Sequence, residues 1–374
     1  MLRAWRWWML LIVVVGVLVG WETGFFHSRV VTLKWEGEPV EFRVLAINHQ
    51  GGFAVVDLAA GVMRVERFDH RGLQYGSVDV AAFTRSGDLL VHPYDEPVLY
   101  VVPGGDISAA PAVIRLPGFG KASADSTYTL GYDVQALGDR SGENIWLLKR
   151  TYAGTQVELI TKEGAVLAEF ELKGSYYAAG LLDNDLLVIN QYDREDLVLK
   201  SNGAIDEVTT CRDDIENGNL RIVSVHGHHT ACLSDDERQL VLYDVTTGQT
   251  DRFTAFESGH WSPSVLPVIP AEVANIAGIH TNQLVLTYEE PDPTNQYRIT
   301  KAIYAADLSN HSMRWLSDKQ EGEGLKPLGI VDDLLFLATG VIGQGEAIVA
   351  IDLRSGERQT VVELPEGYFI YDAA

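Results

Sequence analysis

The chain has 374 residues, 46% of them hydrophobic, and a formal net charge of −23. That much apolar content supplies a sizeable core and excludes wholesale disorder. The acidic surface, with no Lys/Arg run to offset it, excludes a nucleic-acid backbone as partner.

In chain order, the first signal is N-terminal. Arg3 and Arg6 precede an uninterrupted apolar run from Trp7 to Trp21, followed by Glu22 and then Phe25-Phe26. A spanning helix needs roughly 17–25 residues, which the run reaches if Glu22 sits at the interface and the phenylalanines anchor the far side. The expected layout is a cytoplasmic segment at 1–6, a signal-anchor transmembrane helix at 7–26 contacting membrane lipid, and a juxtamembrane linker at 27–36. The alternative is a signal peptide cleaved near Gly16 or Gly20. Both readings export the rest of the chain, 37–374.

That remainder carries a recurring hairpin phrase. It appears as Val56-Asp-Leu-Ala-Ala-Gly61, Tyr243-Asp-Val-Thr-Thr-Gly248, Ala306-Asp-Leu-Ser-Asn-His311 and Ile351-Asp-Leu-Arg-Ser-Gly356. Asp and Ser bond local backbone groups and Gly accepts positive φ, so each phrase reverses the chain. Weaker versions stand at Pro103-Gly-Gly105, Lys162-Glu-Gly164 and Ser201-Asn-Gly203, making seven tips. Their spacing of roughly 40–60 residues is that of propeller blades. A second phrase, a polar turn before a short apolar strand, recurs at Gly87-Asp-Leu-Leu-Val91, Asn184-Asp-Leu-Leu-Val188, Asn282-Gln-Leu-Val-Leu286 and Asp332-Asp-Leu-Leu-Phe336. The predicted fold is all-β, a seven-bladed β-propeller with blades near 40–70, 77–117, 127–173, 176–210, 220–256, 264–317 and 326–365. The tail Glu366–Tyr371 is a spare strand, expected to pair in the first blade beside residues 40–48.

The Asp-Leu-x-x-Gly tips resemble those of the quinoprotein-like and YVTN-type propeller repeats of bacterial extracytoplasmic proteins. The resemblance covers most of 37–374 through one degenerate turn phrase per repeat, and it speaks to fold rather than activity. The Trp that quinone-binding members carry near the end of many repeats is not matched: Trp146, Trp261 and Trp315 stand in scattered contexts. Nor is the Gly-His…Trp-Asp pattern of WD40 repeats. The resemblance implies a membrane-tethered scaffold that binds an envelope protein or component. Its alternatives are a channel-mouth enzyme (metal-assisted hydrolase, lactonase or lyase) and an extracellular sensor acting with a membrane partner.

Few residues point to chemistry. Ser224-Val-His-Gly-His-His-Thr-Ala-Cys232 holds three histidines and a cysteine. In an extended strand His226 and His228 share a face and could hold a divalent cation with a third ligand from elsewhere. The other reading is a polar turn in the fifth blade. Outside the cytoplasm the only two cysteines, Cys211 and Cys232, are expected to form a disulfide closing a loop of about twenty residues. The carboxylate runs lack calcium-loop spacing, and no Gly-x-Ser-x-Gly elbow or phosphate loop occurs. No other cofactor is expected. Glu289-Glu-Pro-Asp-Pro-Thr-Asn-Gln296 is longer than a hairpin needs, which makes Glu289, Glu290, Asp292 and Asn295 binding-loop candidates.

Overall fold

The computed structural model describes residues 28–37, 39–48, 52–67, 78–84, 86–93, 98–107, 109–116, 133–139, 141–151, 154–190, 195–213, 220–255, 260–265, 283–292, 295–307, 312–315, 320–321, 325–331, 334–341, 345–353 and 355–373. The expected spanning segment 7–26 lies outside these residues. Among the described residues no helix is long and apolar enough to cross a membrane.

The described strands form seven antiparallel sheets. The first holds β1 (Ser28–Thr32), β2 (Arg43–Asn48), β3 (Gly52–Asp57) and β4 (Val62–Arg67). The second holds β5 (Val78–Phe83), β6 (Leu89–Pro93), β7 (Val98–Val102) and β8 (Ala112–Arg115). The third holds β9 (Asp133–Gly138), β10 (Asn144–Thr151), β11 (Gly154–Thr161) and β12 (Val166–Leu172). The fourth holds β13 (Tyr176–Leu182), β14 (Asp185–Asn190), β15 (Asp196–Leu199) and β16 (Ile205–Glu207). The fifth holds β17 (Leu220–His226), β18 (His229–Ser234), β19 (Gln239–Asp244) and β20 (Thr250–Thr254). The sixth holds β21 (His260–Val265), β22 (Gln283–Asp292), β23 (Asn295–Asp307), β24 (Ser312–Trp315) and the short β25 (Gln320–Glu321). The seventh holds β26 (Lys326–Val331), β27 (Leu334–Val341), β28 (Gly345–Asp352) and β29 (Arg358–Glu363).

The last strand, β30 (Tyr368–Ala373), returns to the first sheet and pairs with β2 from Asn48↔Tyr368 to Val44↔Ala373, as the tail's apolar pattern predicts. Inner strands then meet in sequence: β30 lies against β5, β5 against β9, β9 against β13, and so on through β17, β21 and β26 back to β30. This closed circuit of radial sheets is a β-propeller.

The core fills the spaces between sheets. Leu45, Ile47 and Phe53 meet Leu89 and Val91 between the first and second sheets. Trp146 and Leu148 meet Leu186 and Val188 between the third and fourth. Inner strands β5, β13, β17, β21, β26 and β30 each shift register against their neighbour. Such bulges add local twist, which lets a strand curl close to the axis. At Gly180, with φ 150, an added Cβ would lie 2.7 Å from the Val225 side chain, so the close approach of β13 to β17 requires glycine.

One correction concerns residues 27–36, expected as a linker. Ser28–Thr32 pairs along β4 as an outer fifth strand, and the Leu33 and Lys34 amides donate to the Gly61 and Val361 carbonyls at 3.0 and 3.1 Å. Its strand signal is short and depends on an edge supplied by β4, so it is set by tertiary pairing.

The hairpin phrases join the third and fourth strands of sheets, as between β7 and β8, and in the first sheet join β3 and β4. Asp57 Oδ1 accepts the Ala60 amide at 2.9 Å, and Asp352 Oδ1 accepts the Ser355 amide at 2.9 Å. Asp244 Oδ1 accepts the Thr246 amide at 2.8 Å, the Thr247 amide at 3.1 Å and the Thr246 hydroxyl at 2.6 Å. Burial alone would raise the Asp244 carboxyl, but these bonds outweigh it and hold the pKa down at about 2, from 3.8. Because the folded value lies below the unfolded one, this stabilisation is present above pH 3.8 and lost as pH falls toward 2. The Asp244→Asn variant is expected to unfold at lower urea than wild type at pH 6, by about 1 kcal/mol given the side chain's partial exposure. The two midpoints should converge on acidification; a gap unchanged at pH 2 would refute this origin.

Candidate functional site

The sheets give the molecule two faces. Turns between first and second strands, and the third-to-fourth hairpin tips, lie on one, the tip face. Turns between second and third strands lie on the other, the base face, where inner strands also begin: Tyr176 pairs with Asn190, Lys326 with Ala338 and His260 with Glu289.

On the tip face, neighbouring sheets are tied by polar bridges. The Arg43 guanidinium donates to the Gly87 carbonyl at 3.0 Å and reaches Asp57 at 3.3 Å. Ser86 donates to the Gly142 carbonyl at 3.0 Å, and Lys162 pairs with Asp88. Burial would raise the Asp88 carboxyl, but Lys162 and the Gly104 amide hold it below the usual range. The histidine stretch belongs to this set. β17 ends at His226, opposite His229, and Gly227-His228 form the turn. Strand alternation therefore stops before His228, which corrects the expectation that His226 and His228 share a strand face. Exposed His228 places Nδ1 at 3.2 Å from Asp183 Oδ2, and its carbonyl accepts the Val245 amide at 2.8 Å. The His229 ring stands 3.8 Å from Asp244. The His226 side chain lies outside the described residues. Among the described residues no group of three or more His, Cys, Asp or Glu gathers as a metal centre.

The two cysteines do come together. Cys211 and Cys232 form a disulfide with Cα atoms 5.7 Å apart, tying the connector after β16 to β18 of the next sheet. Beside it the Arg212 guanidinium donates to Asp196 Oδ1 at 2.5 Å and to the Asn190 carbonyl at 3.0 Å. Thr210 donates to Asp196 Oδ2 at 2.5 Å, and the Cys211 amide donates to Thr230 Oγ1 at 3.3 Å. The connector is thus fastened to the fourth sheet through Arg212 and Thr210, and to the fifth through sulfur and Thr230. All of these groups are buried. This is a structural joint without access for a ligand.

Glu289, Glu290, Asp292 and Asn295, expected on a loop, lie on strands. β22 and β23 run paired from Gln283↔Asp307 to Asp292↔Asn295, with a register shift at Pro291. Proline lacks an N–H and is tolerated at such a bulge. β21 stops at His260↔Glu289 and β25 reaches only Thr300↔Glu321. Among the described residues, 291–299 therefore pair only with each other, as a two-stranded ribbon projecting from the base face.

Among the described side chains, those of the inner strands are mostly apolar. Their half-exposed residues include Leu137, Ala178, Ala179, Leu181, Ile330 and Val331. Polar groups missed from sequence lie deeper toward the base face. Lys149 Nζ donates to Glu158 at 2.7 Å, both side chains buried, and Gln156 donates to Glu158 and Glu169 at 3.1 and 2.9 Å. The Arg150 guanidinium lies 3.5 Å from the Tyr177 ring centroid. The pairing of Thr151 with Gly154 sets Lys149 opposite Gln156 and diagonal to Glu158. Those pairings follow once the hairpin register is known. Two carboxyls are raised: Glu346 by burial, against the Ile370 amide that donates to it at 2.7 Å, and Glu66 by burial and the Asp106 charge. Neither lies on an inner strand.

No protein-family profile matches the chain, and a comparison with curated proteins finds no significant match. Solved structures do match. A Pyrococcus horikoshii acylaminoacyl peptidase aligns with TM-score 0.52 and 9% identity over 90% of this chain, which spans only 52% of the peptidase. The dihydro-heme d1 dehydrogenase NirN, solved in complex with DHE, aligns with TM-score 0.50 and 11% identity over 92% of this chain and 77% of its own. The β-propeller domain of Cps50 (Swd1) from Myceliophteria thermophila aligns with TM-score 0.45 and 12% identity over 79% of this chain and 88% of its own. At such identities the likeness is one of fold alone.

Proposed function

We propose that the chain is a seven-bladed, extracytoplasmic propeller, tethered to the membrane through residues 7–26, that binds an envelope protein as an assembly scaffold. The observation that carries the binding role is where apolar surface is exposed. Val113, Val166, Leu167 and Ile205 are 54%, 56%, 52% and 47% exposed. Each stands near the start of the outermost strand of the second, third or fourth sheet, just after a hairpin tip. Neighbouring sheets thus align apolar positions along one stretch of rim, the arrangement of an interaction site. Exposed Glu163, Glu169, Glu171, Asp206 and Glu207 flank it, so the partner it fits carries basic residues around an apolar centre. The mostly apolar described side chains of the inner strands support this reading over channel-mouth catalysis.

A photo-crosslinking residue placed at Ile205 should capture a discrete partner in membranes. Leu167→Lys, which removes an apolar contact and inserts a charge, should weaken that capture about tenfold without unfolding the protein. A folded Leu167→Lys protein with undiminished crosslinking would remove the rim from consideration.

A further inference from the structure

We infer that the base face is held flat against the bilayer, with the β22–β23 ribbon touching lipid headgroups and the tip face turned away. This rests on the tethered reading above and adds an orientation to it.

The geometry starts at β1. Its first residue, Ser28, pairs with Glu66 near the end of β4, and Arg67 pairs with Gly52 beside the β2–β3 turn. β1 therefore enters from the base face. Only His27 stands between Phe26, the end of the expected spanning segment 7–26, and this strand. At about 3.4 Å per residue, the base face at this edge lies within about 10 Å of the expected spanning segment 7–26. β1 is paired through all five of its residues, and Leu33 and Lys34 are bonded onward to the first and seventh sheets. A tether this short and this firmly attached leaves the body little freedom to roll.

The ribbon leaves the same face. From Pro291 to Asp292 it extends beyond its flanking strands by about 7 Å, at the usual rise of an antiparallel strand. Its sequence, Glu289-Glu-Pro-Asp-Pro-Thr-Asn-Gln-Tyr-Arg-Ile299, is polar and carries more acid than base. Such a sequence rests among zwitterionic headgroups and is not drawn into hydrocarbon or toward anionic lipid. The rim proposed for partner binding lies by the tips, on the side that this orientation leaves clear.

The test uses the full chain in phosphatidylcholine vesicles containing headgroup spin-labelled phosphatidylcholine. Both native cysteines are in the disulfide, so one introduced cysteine is a unique labelling site among free thiols. An environment-sensitive fluorophore at Asn295→Cys should lose fluorescence to the spin label, while the same fluorophore at Thr247→Cys or Ser355→Cys, on exposed tips, should lose none. Quenching at the tips with 295 spared, or equal behaviour at all three sites, in protein that resists a carbonate wash would overturn the orientation alone. Release of the protein by carbonate would overturn the tether and the orientation with it.

Discussion

Asp196→Ala is expected to destabilise the protein by about 3–5 kcal/mol, the usual result of deleting one partner from a buried ion pair. The Asp196 side chain is 1% exposed and that of Arg212 10%. The variant leaves the guanidinium with the Asn190 carbonyl but no counter-charge, and deprives Thr210 of its acceptor. Exposed pairs such as Lys34–Glu363, with side chains 71% and 72% exposed, should by contrast change stability by less than about 1 kcal/mol. Urea unfolding followed by tryptophan fluorescence separates the cases. A loss under about 1 kcal/mol for Asp196→Ala would mean that water reaches the pair and that the joint is weaker than its burial implies.

Replacing both Cys211 and Cys232 with alanine is the second large effect, expected at about 3 kcal/mol from the loop that the disulfide closes. The residues it joins are 21 apart in sequence and fully buried. The loss should therefore appear in protein that still folds, and reductant should have little effect on the native wild type. The two perturbations act on one connector. Once either fastening is gone the segment is already loosened, so combining them should cost less than their sum. Strict additivity would show that the ion pair and the disulfide hold independent parts of the structure.

What the sequence reveals follows the range of the interactions. Tips at Asp57, Asp244 and Asp352 are legible because each carboxylate bonds an amide two or three residues away. The disulfide is legible because two sparse cysteines, in a chain whose N-terminus reads as an export signal, point to one pairing. The closing strand is legible as a surplus apolar segment after the last full repeat. β1 is not, because Ser-Arg-Val-Val-Thr becomes a strand only where β4 offers an edge. The ribbon reads as a loop because Pro291 and Pro293 look like breakers, and a local rule does not anticipate a bulge that accommodates proline. The bulges of the inner strands leave only hints, such as glycine within the β13 and β26 segments. The Arg212–Asp196 joint leaves none, since it joins residues 16 apart across separate elements. The apolar rim is invisible for another reason: Val166 and Leu167 read as core until the packing shows that nothing covers them.

The pairing of β30 with β2 also governs how the molecule comes into being. The ribosome makes β2 long before its partner, so until β30 is made the first sheet has an open inner edge. No intermediate without β30 can close the circuit. Closure waits for that strand to emerge, and a product truncated before it keeps a bare strand edge of the kind that recruits other chains. Through that interval a holding chaperone would have to shield β2 until its partner arrives.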